Sequence, residues 1–353
     1  MVTPAEASRA IYIDFEALQT KPHSTPELLG VLDAEGGHQF QQLIVDHALA
    51  PARVANHRCH VVNLRVAVEG LLERAESEDR LIIGWSLFDR DVAVRALPDS
   101  SMRLVARYRN ALQTARPWLR AIHPEVIITR AGEFDARHTL KKYVAIAGYP
   151  GVPAFAGAAP ARWLRHMLAQ LESNSGRYRR VTSEAKRDWH KVLDYNHHDC
   201  LALRHLVVKA AAELASWRSF QRTTFCVEDD GRTICFMAGS RSRRLDAVLE
   251  RHAARPWAFM TSWNPAPRTL TKAENDSRQH RLRRDLDARR LRYLEGLGVA
   301  QDRSWEEESL LILGISRAFA IALARKYGQL AIVVGERGGR SELLPCAPPP
   351  RRG

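Results

Sequence analysis

The eight residues IYIDFEAL (11–18) constrain this chain more than any other stretch. Ile11, Tyr12, Ile13 and Phe15 are β-branched or aromatic, the composition of a buried strand. Two acids, Asp14 and Glu16, stand inside it. A strand alternates its faces, so the two carboxylates share one side, about 7 Å apart. At an effective dielectric of ~20 they repel by a few kcal/mol, and burial adds a desolvation cost. An edge strand would relieve the pair, but its apolar neighbours argue for burial. The pair becomes favourable if divalent cations lie between it and a phosphate. Hard cations take oxygen ligands, and two ions about 3.5–4 Å apart clamp the attacking and leaving oxygens of phosphoryl chemistry. Such a site needs more carboxylates from elsewhere.

Two further stretches offer them. GWSLFDRDVA (84–93) places Asp89 just after an apolar strand, where a loop or helix start aims a carboxylate at a sheet. Asp91, two residues on, reads as a helix-start cap or a solvated acid. DYNHHDCLAL (194–203) lies in a long helical pattern, where Tyr195 and Asp199 are four apart and share a face. A phenol there can orient an attacking water while Asp199 holds a metal. His197 and His198 flank Asp199 but diverge around the helix and lack a third soft ligand, so a zinc site is not expected. Cys200 reads as a small buried residue, and Trp163, Trp189 and Trp217 as core.

The order of elements gives these residues a setting. Strands are expected at Ala10–Phe15, Leu28–Asp33 and Gln39–Val45, punctuated by turns at Pro26 and Gly36-Gly37. A helix at Asn63–Ser77 and a strand at Arg80–Ser86 follow. Helical periodicity then dominates, at Met102–Leu112, Arg137–Ala147, Ala161–Ser173 and Ser183–Ser216, with a further strand at Glu125–Thr129. A basic loop at 174–184 carries Arg179 and Arg180. Near Phe220 the pattern changes. Phe225–Ala238 reads as a hairpin turning at Asp230-Gly231. From Ala258 onward the order is βαββαβ, the split βαβ arrangement. The Pro-rich end, 341–353, reads as a disordered tail. The expected domains are therefore 1–220, α/β with a mixed sheet flanked by helices, and a smaller α+β domain over 221–340.

The first ~220 residues resemble 3′–5′ exonucleases of the DEDD superfamily, which are ribonuclease-H-like. Asp14 and Glu16 match the family's Asp-x-Glu on the first strand. Phe88-Asp89 match its aromatic-Asp motif, and Tyr195 with Asp199 match the Tyr-x-x-x-Asp of the tyrosine subtype. The histidine subtype places His five residues before the last aspartate, where this chain has Asp194. The resemblance implies two Mg²⁺ or Mn²⁺ ions held by Asp14, Glu16, Asp89 and Asp199, with Asp14 bridging and Tyr195 positioning the nucleophile. It implies hydrolysis of single-stranded DNA or RNA from a 3′ end. One departure concerns Trp85-Ser86-Leu87, where the family often carries Asn or His before its aromatic-Asp. A ribonuclease-H-like endonuclease, or a silent nucleic-acid-binding or assembly protein, are the alternatives.

The second domain resembles a small bacterial domain of unknown function and an α+β, ferredoxin-like fold. Trp263-Asn264-Pro265, Glu274-Asn275 and Gly314-Ile315-Ser316-Arg317 carry that resemblance. Trp263, Asn264 and Glu274 suggest a small polar site. The chain carries a formal charge of +13, and residues 221–353 hold 24 Lys and Arg against 16 Asp and Glu. That excess favours a polyanionic partner. The expected phosphate-tracking face is the helix Lys272–Arg290, with Arg278, Arg281, Arg283 and Arg284, although Asp276, Asp285 and Asp287 can also pair locally. No apolar run reaches the ~18 residues of a membrane span, and the N-terminus lacks a signal-peptide core. The five cysteines contain no CxxC, which argues against a disulfide framework and for a cytoplasmic setting.

Overall fold

The structure, a computed structural model, describes residues 1–18, 24–35, 39–55, 59–126, 138–151, 160–265 and 268–347. It divides into two compact units. One comprises residues 1–116 and the chain up to Ala211; the other runs on from Ala212 and includes the stretch starting at Pro117. The division therefore falls inside a helix rather than at a linker.

The first unit opens with α1 (Pro4–Arg9), capped by Thr3 and Glu6, followed by β1 (Ile11–Glu16), β2 (Leu28–Asp33) and β3 (Phe40–Ile44). A short β4 (Cys59–Val61) leads to α2 (Leu64–Ser77), whose N-terminus is capped by the Asn63 side chain. Next come β5 (Ile82–Gly84), α3 (Leu87–Ala96), α4 (Ser101–Arg107), β6 (Tyr108–Asn110) and α5 (Leu112–Ile122). Helices α6 (Leu140–Ala147), α7 (Pro160–Ser173) and the 39-residue α8 (Ser183–Gln221) complete the run. The strand order is β4-β3-β2-β1-β5-β6. β2 runs antiparallel to both its neighbours, whereas β1, β5 and β6 are parallel.

β1 is thus central, and its alternation decides what each face receives. Ile11, Ile13 and Phe15 pack with Val68, Leu72 and Val92 of α2 and α3. Tyr12 packs with Leu203 and Val207 of α8, the helix whose Asn196 also bonds Asp14. Trp163 and Trp189 are core residues, 2% and 0% exposed.

One expectation changes and two fall outside the described residues. The helix expected over Met102–Leu112 ends at Arg107, and Tyr108–Asn110 instead becomes β6, paired with β5. Tyr108 is buried there, its hydroxyl donating to the Ser86 carbonyl at 3.0 Å, so tertiary pairing overrides the local periodicity. The strand expected at Glu125–Thr129 lies largely outside the described residues, as do Gly36 and Gly37.

The second unit contains β7 (Thr224–Asp229), β8 (Arg232–Met237), α9 (Arg243–Arg251), β9 (Pro256–Met260) and α10 (Lys272–Asp287). It continues with β10 (Tyr293–Val299), β11 (Glu306–Leu313), α11 (Arg317–Lys326), β12 (Ala331–Glu336) and β13 (Glu342–Pro345). The sheet order is β13-β12-β9-β11-β10-β7-β8, antiparallel throughout. The expected βαββαβ order is its middle, and the β7–β8 hairpin and β13 extend it at opposite edges. Asp230 and Gly231 take φ of 49° and 69°, the left-handed pair of a two-residue hairpin turn.

Two corrections follow. Residues 342–345, expected within a disordered tail, form a strand on β12. Cys226 and Cys235, expected as free thiols, are joined in a disulfide. They face each other in the hairpin register, so the turn brings together cysteines nine apart that a search for CxxC passes over.

Gly84 shows how tightly the end of β5 is built. A Cβ there would stand 2.4 Å from the Tyr108 hydroxyl and 3.0 Å from Asp89 Cβ. Gly84→Ala is expected to destabilise the protein by roughly 1–3 kcal/mol through overpacking, read as a lower urea midpoint with an unchanged slope.

Candidate functional site

Asp14 and Glu16 leave β1 on the face that α8 covers. Asp89 arrives from α3, where it is the third helical residue. Its carboxylate accepts from the Ser86 backbone N–H and hydroxyl, both at 2.9 Å, while the hydroxyl accepts in turn from the Asp89 N–H. This capping box fixes the start of α3 and buries Asp89 at 3% exposure. The Phe15 backbone N–H of β1 also donates to Asp89, which brings the second acid against the first strand.

α8 supplies the remainder. Tyr195 and Asp199 stand one turn apart, near enough that, beyond burial, the Asp199 charge raises the Tyr195 phenol. His198 Nδ1 lies 2.9 Å from Asp199 Oδ1. Asn196 Nδ2 donates to both the backbone carbonyl and the Oδ2 of Asp14, each at 3.0 Å. Gln42 of β3 donates to the Leu193 carbonyl at 2.8 Å and to Asn196 Oδ1 at 3.3 Å. His197 turns away and stacks on Phe40, ring centroids 4.2 Å apart. Asp91 pairs with Arg90 at the surface, and Cys200 is fully buried.

The four acids are close enough to govern one another's charge. Burial raises Asp14 well above the usual carboxylate range, and the charges of Glu16, Asp199 and Asp89 push it further. Glu16 is pushed up to about 8, by burial first and then by Asp199 and Asp89. Asp89 and Asp199 are raised by burial, opposed by their hydrogen bonds from Ser86 and from His198. Tyr195 is raised by burial and by the same acids, so it stays a phenol and a hydrogen-bond donor. Glu16 Oε1 is buried with no hydrogen-bond partner among the described residues.

All five sequence-expected residues are therefore brought together. An all-oxygen set with an orphaned carboxylate oxygen fits hard divalent cations. Among the described residues no three His, Cys, Asp or Glu side chains already form a cage, so holding an ion requires these carboxylates to turn toward one another. Gly30, Gln42 and Asn196 belong to the site but were not singled out from the sequence. Ser86 was legible as the start of a Ser-x-x-Asp box.

Outside this cluster, Arg179 and Arg180 lie in an exposed turn. In the second unit, Arg278 is half-buried and donates to the Ser262 and Tyr327 carbonyls. Arg283 forms a two-pronged pair with Glu295, at 3.0 and 2.8 Å. Both are thus held by the protein, whereas Arg281 and Arg284 are exposed and free of ion pairs among the described residues. Glu274 is taken up in capping Thr271, so Asn264 bonds instead with Asn275 and Glu307.

The model of a family described as "Protein of unknown function (DUF3293)" matches residues 260–332, the stretch from β9 into β12. No curated protein and no solved structure gives a match to the chain.

The raised Glu16 predicts a pH effect. Its folded form holds a proton from the ordinary 4.5 up to about 8, so the metal-free fold loses stability as pH rises through that window. Glu16→Gln should remove much of this slope and make the metal-free protein more stable at pH 8 by roughly 2–4 kcal/mol. Urea unfolding in EDTA at pH 5 and pH 8 measures it. A wild type equally stable at both pH values would contradict the burial of these charges.

Proposed function

We propose that the first unit is a metal-dependent 3′–5′ exonuclease acting on single-stranded DNA or RNA. One observation carries this reading: Asp14, Glu16, Asp89 and Asp199, from β1, α3 and α8, share one buried cluster with Tyr195. The strand order from β3 to β6, with β2 reversed, supports a ribonuclease-H-like sheet, and the resemblance in motif order supplies the 3′ polarity. A silent scaffold has no use for four clustered acids whose charges raise the Asp14 and Glu16 carboxyls.

Asp14, Glu16, Asp89 and Asp199 would hold two Mg²⁺ or Mn²⁺ ions, which when bound activate a water and neutralise charge on the phosphate. Tyr195 donates a hydrogen bond and orients that water. His198 holds Asp199, and Ser86 holds Asp89. In the second unit, Arg281 and Arg284 offer exposed cations to the phosphates of the substrate strand. The four-strand middle of that sheet fits the ferredoxin-like expectation. No described helix is long and apolar enough to cross a membrane.

End-labelled single-stranded DNA and RNA, incubated with Mn²⁺, Mg²⁺ or EDTA, test the activity. A ladder shortening from the 3′ end with metal and no digestion with EDTA is expected. Asp14→Asn should remove nearly all turnover, and Tyr195→Phe should lower it while leaving metal binding intact. Internal cleavage of circular substrate would favour an endonuclease, and a wild-type rate in Asp14→Asn would sink the assignment.

A separate measurement addresses the basic face. Changing Arg281 and Arg284 to Glu should flatten log K against log salt by about 1.4 for a single strand, as expected for two phosphate contacts. Turnover on a very short oligonucleotide should hardly change. An unaltered salt slope would leave α10 as a solvated helix.

A further inference from the structure

We infer that Asn196 is the positioning residue that sets Asp14 for metal binding, and that Gly30 is its seat. This rests on the metal-site reading of the carboxylate cluster.

The Asn196 side chain is fully buried and its orientation is fixed by its neighbours. Asp14 presents only acceptors, its carbonyl and Oδ2, so the amide nitrogen must face β1. The amide oxygen then faces the Gln42 N–H, and Gln42, 2% exposed, is itself pinned by the Leu193 carbonyl. The chain of bonds runs from β3 through α8 to β1. It crosses β2 at Gly30, which pairs with Asp14 in the sheet. A Cβ on Gly30 would stand 2.3 Å from Asn196 Oδ1 and 2.8 Å from its Cγ. Gly30 is therefore a close-approach glycine: the amide occupies the space of its missing side chain.

This arrangement gives Asp14 what Asp89 and Asp199 already have. Asp89 and Asp199 have hydrogen-bond donors of their own in Ser86 and His198. For Asp14, the acid at the centre of the cluster, Asn196 supplies the side-chain donor. It holds the Oδ2 oxygen of the Asp14 carboxylate. Asn196 also lies between Tyr195 and Asp199 in sequence, so the same bond fixes the distance of the α8 residues from β1. Outer hydrogen-bond partners of metal ligands commonly set affinity by 10- to 100-fold.

The test is Mn²⁺ binding to the full chain by calorimetry, with thermal melts as the folding check. Asn196→Ala should weaken Mn²⁺ binding by roughly 10- to 100-fold while the protein remains folded. Gly30→Ala should weaken it as well, by displacing the amide. In the Asn196→Ala background, Gly30→Ala should add little, because the group it displaces is gone. If Gly30→Ala does not fold, Gln42→Met releases the other side of the amide and should weaken binding in the same direction. A residue that merely packs would lower the melting temperature and leave the Mn²⁺ affinity in place. Equal affinity in wild type and folded Asn196→Ala overturns this inference and leaves the metal site standing. A wild type that binds no Mn²⁺ overturns both.

Discussion

Four clustered carboxylates, Glu16 and Asp89 buried and Asp14 and Asp199 half-buried, are the constraint on which the first unit depends. A fold does not gather Asp14, Glu16, Asp89 and Asp199 for stability. Desolvation alone disfavours each charge, and their mutual repulsion adds to it. The surrounding structure is arranged to hold the acids in place regardless. The start of α3 is locked by the Ser86–Asp89 box, and α8 is locked to β1 through Asn196. β1 itself is central, anchored on its other face by Ile11, Ile13 and Phe15. Burial of apolar side chains offsets the electrostatic strain, as expected where a site rather than stability has selected the residues.

What the sequence made legible, and what it hid, follows from the range of the interactions involved. The five site residues were readable because strand alternation and helix periodicity are local rules. Asp14 and Glu16 share a face by a two-residue period, and Tyr195 and Asp199 by a four-residue one. The Asp230-Gly231 hairpin was readable because its turn chemistry is local too. Asn196, Gln42 and Gly30 were not, since each matters only across three strands and a helix. β6 was hidden for the same reason: nothing near Tyr108–Asn110 opposes helix, and only pairing with β5 makes a strand of it. The Cys226–Cys235 disulfide depended on a register that the hairpin fixes but the spacing of cysteines does not announce.

Charge in the second unit divides by what each arginine touches rather than by where it falls in sequence. Arg278, Arg281, Arg283 and Arg284 stand within seven positions of one helix. Half-buried Arg278 gives its N–H groups to two carbonyls and lies over the Tyr327 ring, and Arg283 faces Glu295 and Glu308 of the sheet. These two knit α10 to its surroundings. Lys272 pairs with Asp276 one turn on, and Asp285 takes Lys326. A count of basic residues therefore overstates the cationic surface that a polyanion would meet. Arg281 and Arg284, one turn apart on the exposed side, are what remains in α10 of the phosphate-tracking face that the sequence leads one to expect.

The two units differ in how far their polar groups are satisfied. In the first unit, residues that cost stability converge on one place, and convergence of unfavourable groups has few structural explanations. In the second, several polar groups around the Trp263–Asn264 turn satisfy one another, although Trp263 Nε1 and Gln279 Nε2 are buried without a hydrogen-bond partner among the described residues. Asn264 bonds with Asn275 and Glu307, Ser262 with Gln279, and the Trp263 carbonyl with Gln329. Such a network fixes a turn, and Asn264 needs fixing, since its φ of 42° is unfavourable for a residue with a side chain. The family-matched residues that looked like a polar site thus have a conformational reason to be there. In the first unit the unpartnered Glu16 oxygen stands out because it lies among other acids, beside Asp14, where a cation rather than a hydrogen-bond donor would complete it.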